Sequence, residues 1–156
     1  MKLVRLPAPK LTAVQATLVR FIREQGDSRI TKQAIQWLSR LNPANLCAEG
    51  TVILMAMNGS HLIGLFAVSR FGLDQSLIVV DRRFRTRGIG RALALHMRDL
   101  LPKLYVRIAA DNDASLRLFQ QLGFQMVKAC VGPTGKSTLW LAAGDWSYSD
   151  WEERVG

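Results

Sequence analysis

The stretch Ile78-Val79-Val80-Asp81-Arg82-Arg83-Phe84-Arg85-Thr86-Arg87-Gly88-Ile89-Gly90-Arg91-Ala92-Leu93 decides how the rest of the chain is read. It opens as an apolar run of strand length and closes in a helical period, Ile89, Leu93, Met97 and Leu100, ended by Pro102. A buried strand that passes through glycines and arginines directly into a helix makes an anion site. Glycines at 88 and 90 let backbone N–H groups approach a phosphate, and the helix N-terminus adds unpaired donors and the positive end of its dipole. Arg85, Arg87 and Arg91 add full charges, so a diphosphate is a good match. By itself the Gly-x-Gly pair could merely shape a turn beside a solvated arginine face; its position between strand and helix favours the anion site. The spacing excludes a dinucleotide fingerprint, whose third glycine would fall at Leu93. It also excludes a P-loop at Gly135-Lys136-Ser137, which needs a glycine where Cys130 stands.

Working outward, a strand at 1–6 precedes a helix over Thr12 to Gln25, opened by a Thr12/Gln15 capping box and stopped at Gly26. A second helix runs from Thr31 and ends at Pro43. Strands at 51–57 and 61–70 flank Asn58-Gly59, a dipeptide suited to the positive φ angles of a tight hairpin. After the Ser76 to Val80 strand and its helix come a strand at Leu104 to Ala109, a helix at Asn112 to Leu122 and a strand at Phe124 to Val131. A hairpin through Gly132 to Gly135 leads to a final strand at Ser137 to Leu141. Hairpins mixed with strand-helix-strand crossovers predict an α/β fold: a mixed sheet of about seven strands with helices on both faces.

At 156 residues and 49% hydrophobic, the chain has material for one core without metal or disulfide staples. We expect residues 1–141 to form that domain and 142–156, with its Trp146, Tyr148 and Trp151, to be an aromatic and acidic extension packed on it. The net charge is +9, and because the extension is acidic the rest carries twenty cations against eight acids. Such an excess implies an anionic partner. Nucleic acid is disfavoured, since the arginines cluster at one loop and few aromatics interleave with them. Cys47 and Cys130 match neither a disulfide framework nor a zinc spacing and read as packing residues; no metal is expected. The longest apolar stretches are strand-sized, far short of the roughly 18 residues of a membrane span. Pro7, Pro9 and Lys10 stand where a secretory signal would need an apolar run, so a cytoplasmic location is expected.

Arg85-x-x-Gly88-x-Gly90 resembles the acetyl-CoA pyrophosphate loop of the GNAT superfamily of N-acetyltransferases. A second block, Asn112-Asp113-Ala114-Ser115-Leu116-Arg117-Leu118-Phe119 with Leu122-Gly123-Phe124, resembles that family's next helix and strand at the expected distance. Together they cover Thr51 to Leu141. The resemblance implies a sheet splayed between the Ser76 to Val80 and Leu104 to Ala109 strands. Pantetheine would lie in the gap, paired with backbone groups of Ile78, Val79 and Val80 that also polarise the thioester carbonyl. It places Arg85, Thr86, Arg87, Gly88, Ile89 and Gly90 around the pyrophosphate, and Asn112, Ser115 and Phe119 along the rest of the cofactor. The implied activity is transfer of an acetyl group from acetyl-CoA, the cosubstrate, to a primary amine of a small molecule or protein, by a monomer or homodimer.

The reaction needs a base, because a lysine-like amine of pKa ~10.4 is only about 0.04% neutral near pH 7. Asp74, at the start of the strand leading into the loop, is a candidate, though it equally suits a turn; Glu49 and His61 are weaker ones. His96 falls on the apolar side of its helix and reads as a partly buried packing residue, and Trp37 and Trp140 as core or interface. Phe119 stands where many family members have a tyrosine that protonates the departing thiolate, and a phenyl ring has no proton to give. Ser115 or water could serve instead. The alternative is a catalytically weak acetyl-CoA sensor that regulates a partner protein. Eight acids in the first 141 residues argue mildly against a polyamine pocket.

Overall fold

The computed structural model describes residues 1–132 and 135–153. Seven strands and six helices follow one another as β1 (Lys2–Arg5), α1 (Leu11–Gln25), α2 (Lys32–Arg40), α3 (Pro43–Leu46), β2 (Val52–Asn58), β3 (His61–Ser69), β4 (Gln75–Val80), α4 (Ile89–Leu100), β5 (Lys103–Ala109), α5 (Asp113–Gln121), β6 (Gln125–Val131), β7 (Ser137–Gly144) and α6 (Ser149–Glu153). They form two antiparallel sheets, β1-β2-β3-β4 and β5-β7-β6. Among the described residues no ladder joins β4 to β5, so the sheet is interrupted at the place where a splay is expected.

Alternation along β2 and β3 sends apolar side chains to both faces, and each face is covered by helices. On one, Leu54, Phe66 and Val68 pack with Ile89, Leu93 and Met97 of α4 and Phe119 of α5. On the other, Ile53, Leu65, Leu77 and Val79 pack with Leu18 and Ile22 of α1 and Leu38 of α2. No helix among the described residues is long and apolar enough to cross a membrane.

Several local expectations are corrected. Helix α1 starts at Leu11, after a 3-10 turn at Ala8–Lys10, so Lys10 takes the N-cap position and the Thr12/Gln15 capping box does not form. Thr12 is inside the first turn, and the Gln15 amide is free to donate to the carbonyls of Leu38 and Leu41, each at 2.7 Å. Helix α2 ends at Arg40, and Pro43 opens α3 instead of ending α2. A proline is tolerated at that first position, and Asn42 caps it by accepting the Asn45 N–H at 2.8 Å. In the β2–β3 hairpin Asn58 stays in the strand opposite His61, leaving Gly59 alone with positive φ. The buried arc of α4 runs through Ile89, Leu93, Ala94 and Met97, and His96 lies beyond its edge, exposed. Cys47 is exposed as well, while Cys130 packs in part as expected. Of the last hairpin, residues 133 and 134 lie outside the described residues.

Strand β7 continues to Gly144, and the segment after it folds back onto β5. Tyr105, fully buried, donates its hydroxyl to the Asp150 carboxylate and accepts the Ser147 N–H at 3.0 Å. Lys103 donates to the other Asp150 oxygen at 2.8 Å. Trp151 packs edge-on against Tyr105 and Trp140, with centroids 4.9 and 5.8 Å away. Burial pushes the Asp150 carboxyl up, but the hydrogen bonds from Lys103, Tyr105 and Ser147 outweigh it and hold the group below the usual carboxylate range. A carboxyl lowered by folding stabilises the fold above its unfolded pKa, and that stabilisation is lost as the pH falls through the folded value. Asp150→Asn should therefore lower stability at pH 7 by about 3 kcal/mol in urea unfolding, and the difference from wild type should shrink as the pH falls below about 4. An unchanged midpoint at pH 7 would show that this network does not hold the C-terminal segment.

Candidate active site

Strands β4 and β5 come together where the turn before β4 meets the main chain of β5. At Gly72, in the 3-10 turn before β4, an added Cβ would lie 1.8 Å from the Tyr105 carbonyl oxygen. Its φ of +93° also lies in the region glycine favours, so both sterics and backbone geometry select glycine at this contact. Among the described residues no backbone ladder pairs the two strands beyond it. The Asp81 N–H donates to the Ile63 carbonyl at 2.9 Å, within a register that pairs Leu65 with Val79. By the alternation of an antiparallel ladder, residues in phase with Asp81 turn their backbone groups to β3. Val79 is one of these, whereas Ile78 and Val80 turn theirs toward the gap. A strand edge with unpaired N–H and C=O groups can take an extended ligand that carries amides.

The first turn of α4 lies over the open end of the gap. A Cβ on Gly90 would stand 3.8 Å from the side chains of both Val80 and Leu118. Thr86 and Gly88 both have positive φ, and Gly88 caps the helix with nothing within 4 Å of an added Cβ, so the space above it is open. The Ala92 N–H is the first to bond within the helix, to the Gly88 carbonyl, which leaves the N–H groups of Ile89, Gly90 and Arg91 unpaired by the helix. The loop is moored at two points. Asp81, buried, accepts the Arg83 N–H at 2.9 Å and pairs with its guanidinium at 3.0 Å. The Arg83 hydrogen bond holds the Asp81 carboxyl below its usual range, despite burial. At the C-terminus of α1, Gln25 accepts the Arg82 N–H through its side chain at 3.0 Å, and its carbonyl accepts from Arg85 at 3.1 Å. Arg87 lies over the Phe84 ring at 5.3 Å, and Arg91 is exposed.

Across the gap, Asn112 caps α5 by accepting the Ser115 N–H at 3.4 Å, and Ser115 is half-buried. Phe119 is placed differently from these two. It is 1% exposed and packs edge-on between Phe66 and Phe124, with centroids 6.3 and 5.1 Å away, so its ring belongs to the core.

On the α1/α2 face, beside the start of β4, a cleft of about 510 Å³ is lined by Gln33, Gln36, Trp37, Arg40, Asp74, Gln75 and Arg107. Asp74 lies 3.7 Å from the Arg70 guanidinium. Glu49 and His61 are exposed and do not line this cleft. The roles of Gln33, Gln36, Arg40, Gln75 and Arg107 as its walls were not read from the sequence, although one signal was there. Gln33, Gln36, Trp37 and Arg40 share a helix face opposite to buried Ala34 and Leu38.

Residues 28–124, more than half of the chain, match the profile of the Acetyltransferase (GNAT) family. The chain belongs to this family. Among curated relatives it is 35% identical over 80 residues to an N-alpha-acetyltransferase RimI of Mycobacterium tuberculosis, covering 46% of this chain and 51% of that one. It is 29% identical over 99 residues to a ribosomal protein bS18-alanine N-acetyltransferase of Escherichia coli, covering 58% of this chain and 66% of that one. These matches therefore span from about half to just under two thirds of the relatives' length. The crystal structure of the Escherichia coli ribosomal-protein-S18-alanine N-acetyltransferase shares the fold, with TM-score 0.64 at 18% identity over 94% of this chain and 98% of the other. A ribosomal-protein-alanine N-acetyltransferase from Brucella melitensis does too, with TM-score 0.65 at 20% identity over 92% and 99%.

Within this GNAT chain Phe119 is buried edge-on between two phenyl rings. Phe119→Tyr should cost about 1 to 3 kcal/mol of stability in urea unfolding, as a hydroxyl buried without a hydrogen bond does. A stable Phe119→Tyr protein with raised turnover would instead place that ring at the reacting atoms.

Proposed function

We propose that the protein is an acetyl-CoA-dependent N-acetyltransferase that acylates a primary amine of a small molecule or protein. The observation that carries this reading is the gap between β4 and β5, with the first turn of α4 at its mouth, in a chain of this family. Acetyl-CoA supplies the acetyl group as a thioester. In this reading the unpaired N–H groups of Ile89, Gly90 and Arg91, with the backbone of Arg85 to Gly88, hold the pyrophosphate. Asn112 and Ser115 flank the pantetheine arm, and Ile78 and Val80 present main-chain groups along it. An N–H from this strand edge stabilises charge that develops on the carbonyl oxygen. As the N–C bond forms and the C–S bond breaks, the amine's proton passes to Asp74, directly or through water. Ser115 or solvent supplies a proton to the departing sulfur, whose thiol pKa of roughly 8.5 makes it a tolerable leaving group unaided. Among the relatives, two are named for acetylation at an α-amine or an alanine, which supports a protein N-terminus among the acceptors.

Two measurements test this. Calorimetric titration of acetyl-CoA should give micromolar affinity with wild type and at least a hundredfold weaker binding with Gly88→Glu, whose side chain would enter the open space above the helix cap and oppose a phosphate charge. No binding by folded wild type at low salt would overturn the assignment. With a thiol-release assay on an accepted amine, Asp74→Asn should lower kcat/KM by about 10²- to 10³-fold with acetyl-CoA affinity unchanged. Loss of less than threefold would exclude Asp74 as the base.

A further inference from the structure

We infer that the acceptor is the N-terminus of an acidic peptide, whose carboxylates pair with Arg40 and Arg107 while its α-amine reaches Asp74. This rests on the acetyltransferase reading above and names its acceptor. The cleft beside the start of β4 holds two exposed guanidiniums, Arg40 and Arg107, three carboxamides and one carboxylate. Arg107 lies over the Trp140 ring at 5.4 Å. Asp74 already has Arg70 beside it. Among the described residues the lining has two guanidiniums against one carboxylate, so a polyamine or a basic peptide entering it meets an excess of like charge, whereas an acidic one meets an excess of cations. These arginines are distinct from those of the pyrophosphate loop, which lies at the opposite end of six-residue β4, roughly 17 to 20 Å away.

Shape favours a peptide over a small amine. The α2 wall from Gln33 to Arg40 is eight residues long, about 10 Å from first to last, the length of about three extended residues. Carboxamides of Gln33, Gln36 and Gln75 offer both donors and acceptors, which suits a main chain. Proton chemistry points the same way. Among the described residues the cleft lining has no histidine and a single carboxylate. An α-amine of pKa about 7.7 to 8.0 is roughly a tenth neutral near pH 7, several hundredfold more than a lysine, and so asks less of that one base.

The test is a competition among hexapeptides with free N-termini, followed by acetyl-CoA consumption and mass spectrometry. One begins Ala-Asp-Glu, one Ala-Asn-Gln and one Ala-Lys-Arg, and free aspartate is included as a small anionic amine. Wild type should show kcat/KM for the acidic peptide at least about tenfold above the neutral one, with the basic peptide lowest. Arg40→Glu and Arg107→Glu should each bring the acidic and neutral peptides near parity and raise the basic one. Arg40→Gln and Arg107→Gln give the same direction at smaller size should a charge reversal disturb folding, and acetyl-CoA titration reports that each variant is folded. Equal rates with the three peptides, preference for the basic one, better turnover of free aspartate than of the acidic peptide, or no peptide acetylation with acetyl-CoA bound would each overturn the inference. Failure of wild type to bind acetyl-CoA is a separate result and overturns the enzyme reading beneath it.

Discussion

Gly72 stands so close to the main chain of Tyr105 that no side chain fits between them, and at this contact the two sheets meet. Strands pinned there and joined by no ladder among the described residues do not close into a continuous sheet. Their facing edges keep backbone donors and acceptors that must find water or a ligand. The cost of leaving that edge open is offset by packing elsewhere, since both faces of β2 and β3 are buried under helices and Tyr105 is tied to the C-terminal segment through Asp150. The same tyrosine thus supports the pin from behind.

Charge divides the molecule along β4. At one end Asp81, buried and paired with Arg83, fixes the start of a loop whose backbone donors cluster at the cap of α4. At the other end, among the described residues, Asp74 is the single acid of a cleft lined by two arginines. Net charge alone would merge these into one basic surface. The fold separates them by the length of a strand and gives each a different arrangement of groups.

What the sequence made legible was local. The strand-glycine-helix passage at 78–93 could be read because glycines, arginines and apolar period lie next to one another, and the GNAT resemblance rested on two such contiguous blocks. The helix starts were less secure: Thr12 and Gln15 have the residues of a capping box, yet the chain begins α1 earlier because Leu11 is wholly buried and is drawn into the helix. His96 was misplaced for a related reason, the buried arc of α4 being centred toward Ala94 instead of Leu100. The cleft was missed because it is assembled from α2, the turn before β4 and the middle of β5, and no local pattern brings those segments together. Asp74 alone was singled out, from its position before the strand.

Helix α1 carries no residue of the cleft or of the α4 cap, yet both hang from it. Gln15 holds the end of α2 through two carbonyls, and Gln25 holds the loop through Arg82 and Arg85. Ten residues separate these attachment points, about 15 Å along the axis, and each residue added or removed between them turns one end by about 100° relative to the other. Point changes on the solvent side of α1 leave both ties in place. A one-residue insertion or deletion between Gln15 and Gln25 breaks one of them, so the distance between the two halves of the site is written into the length of a helix that touches neither ligand.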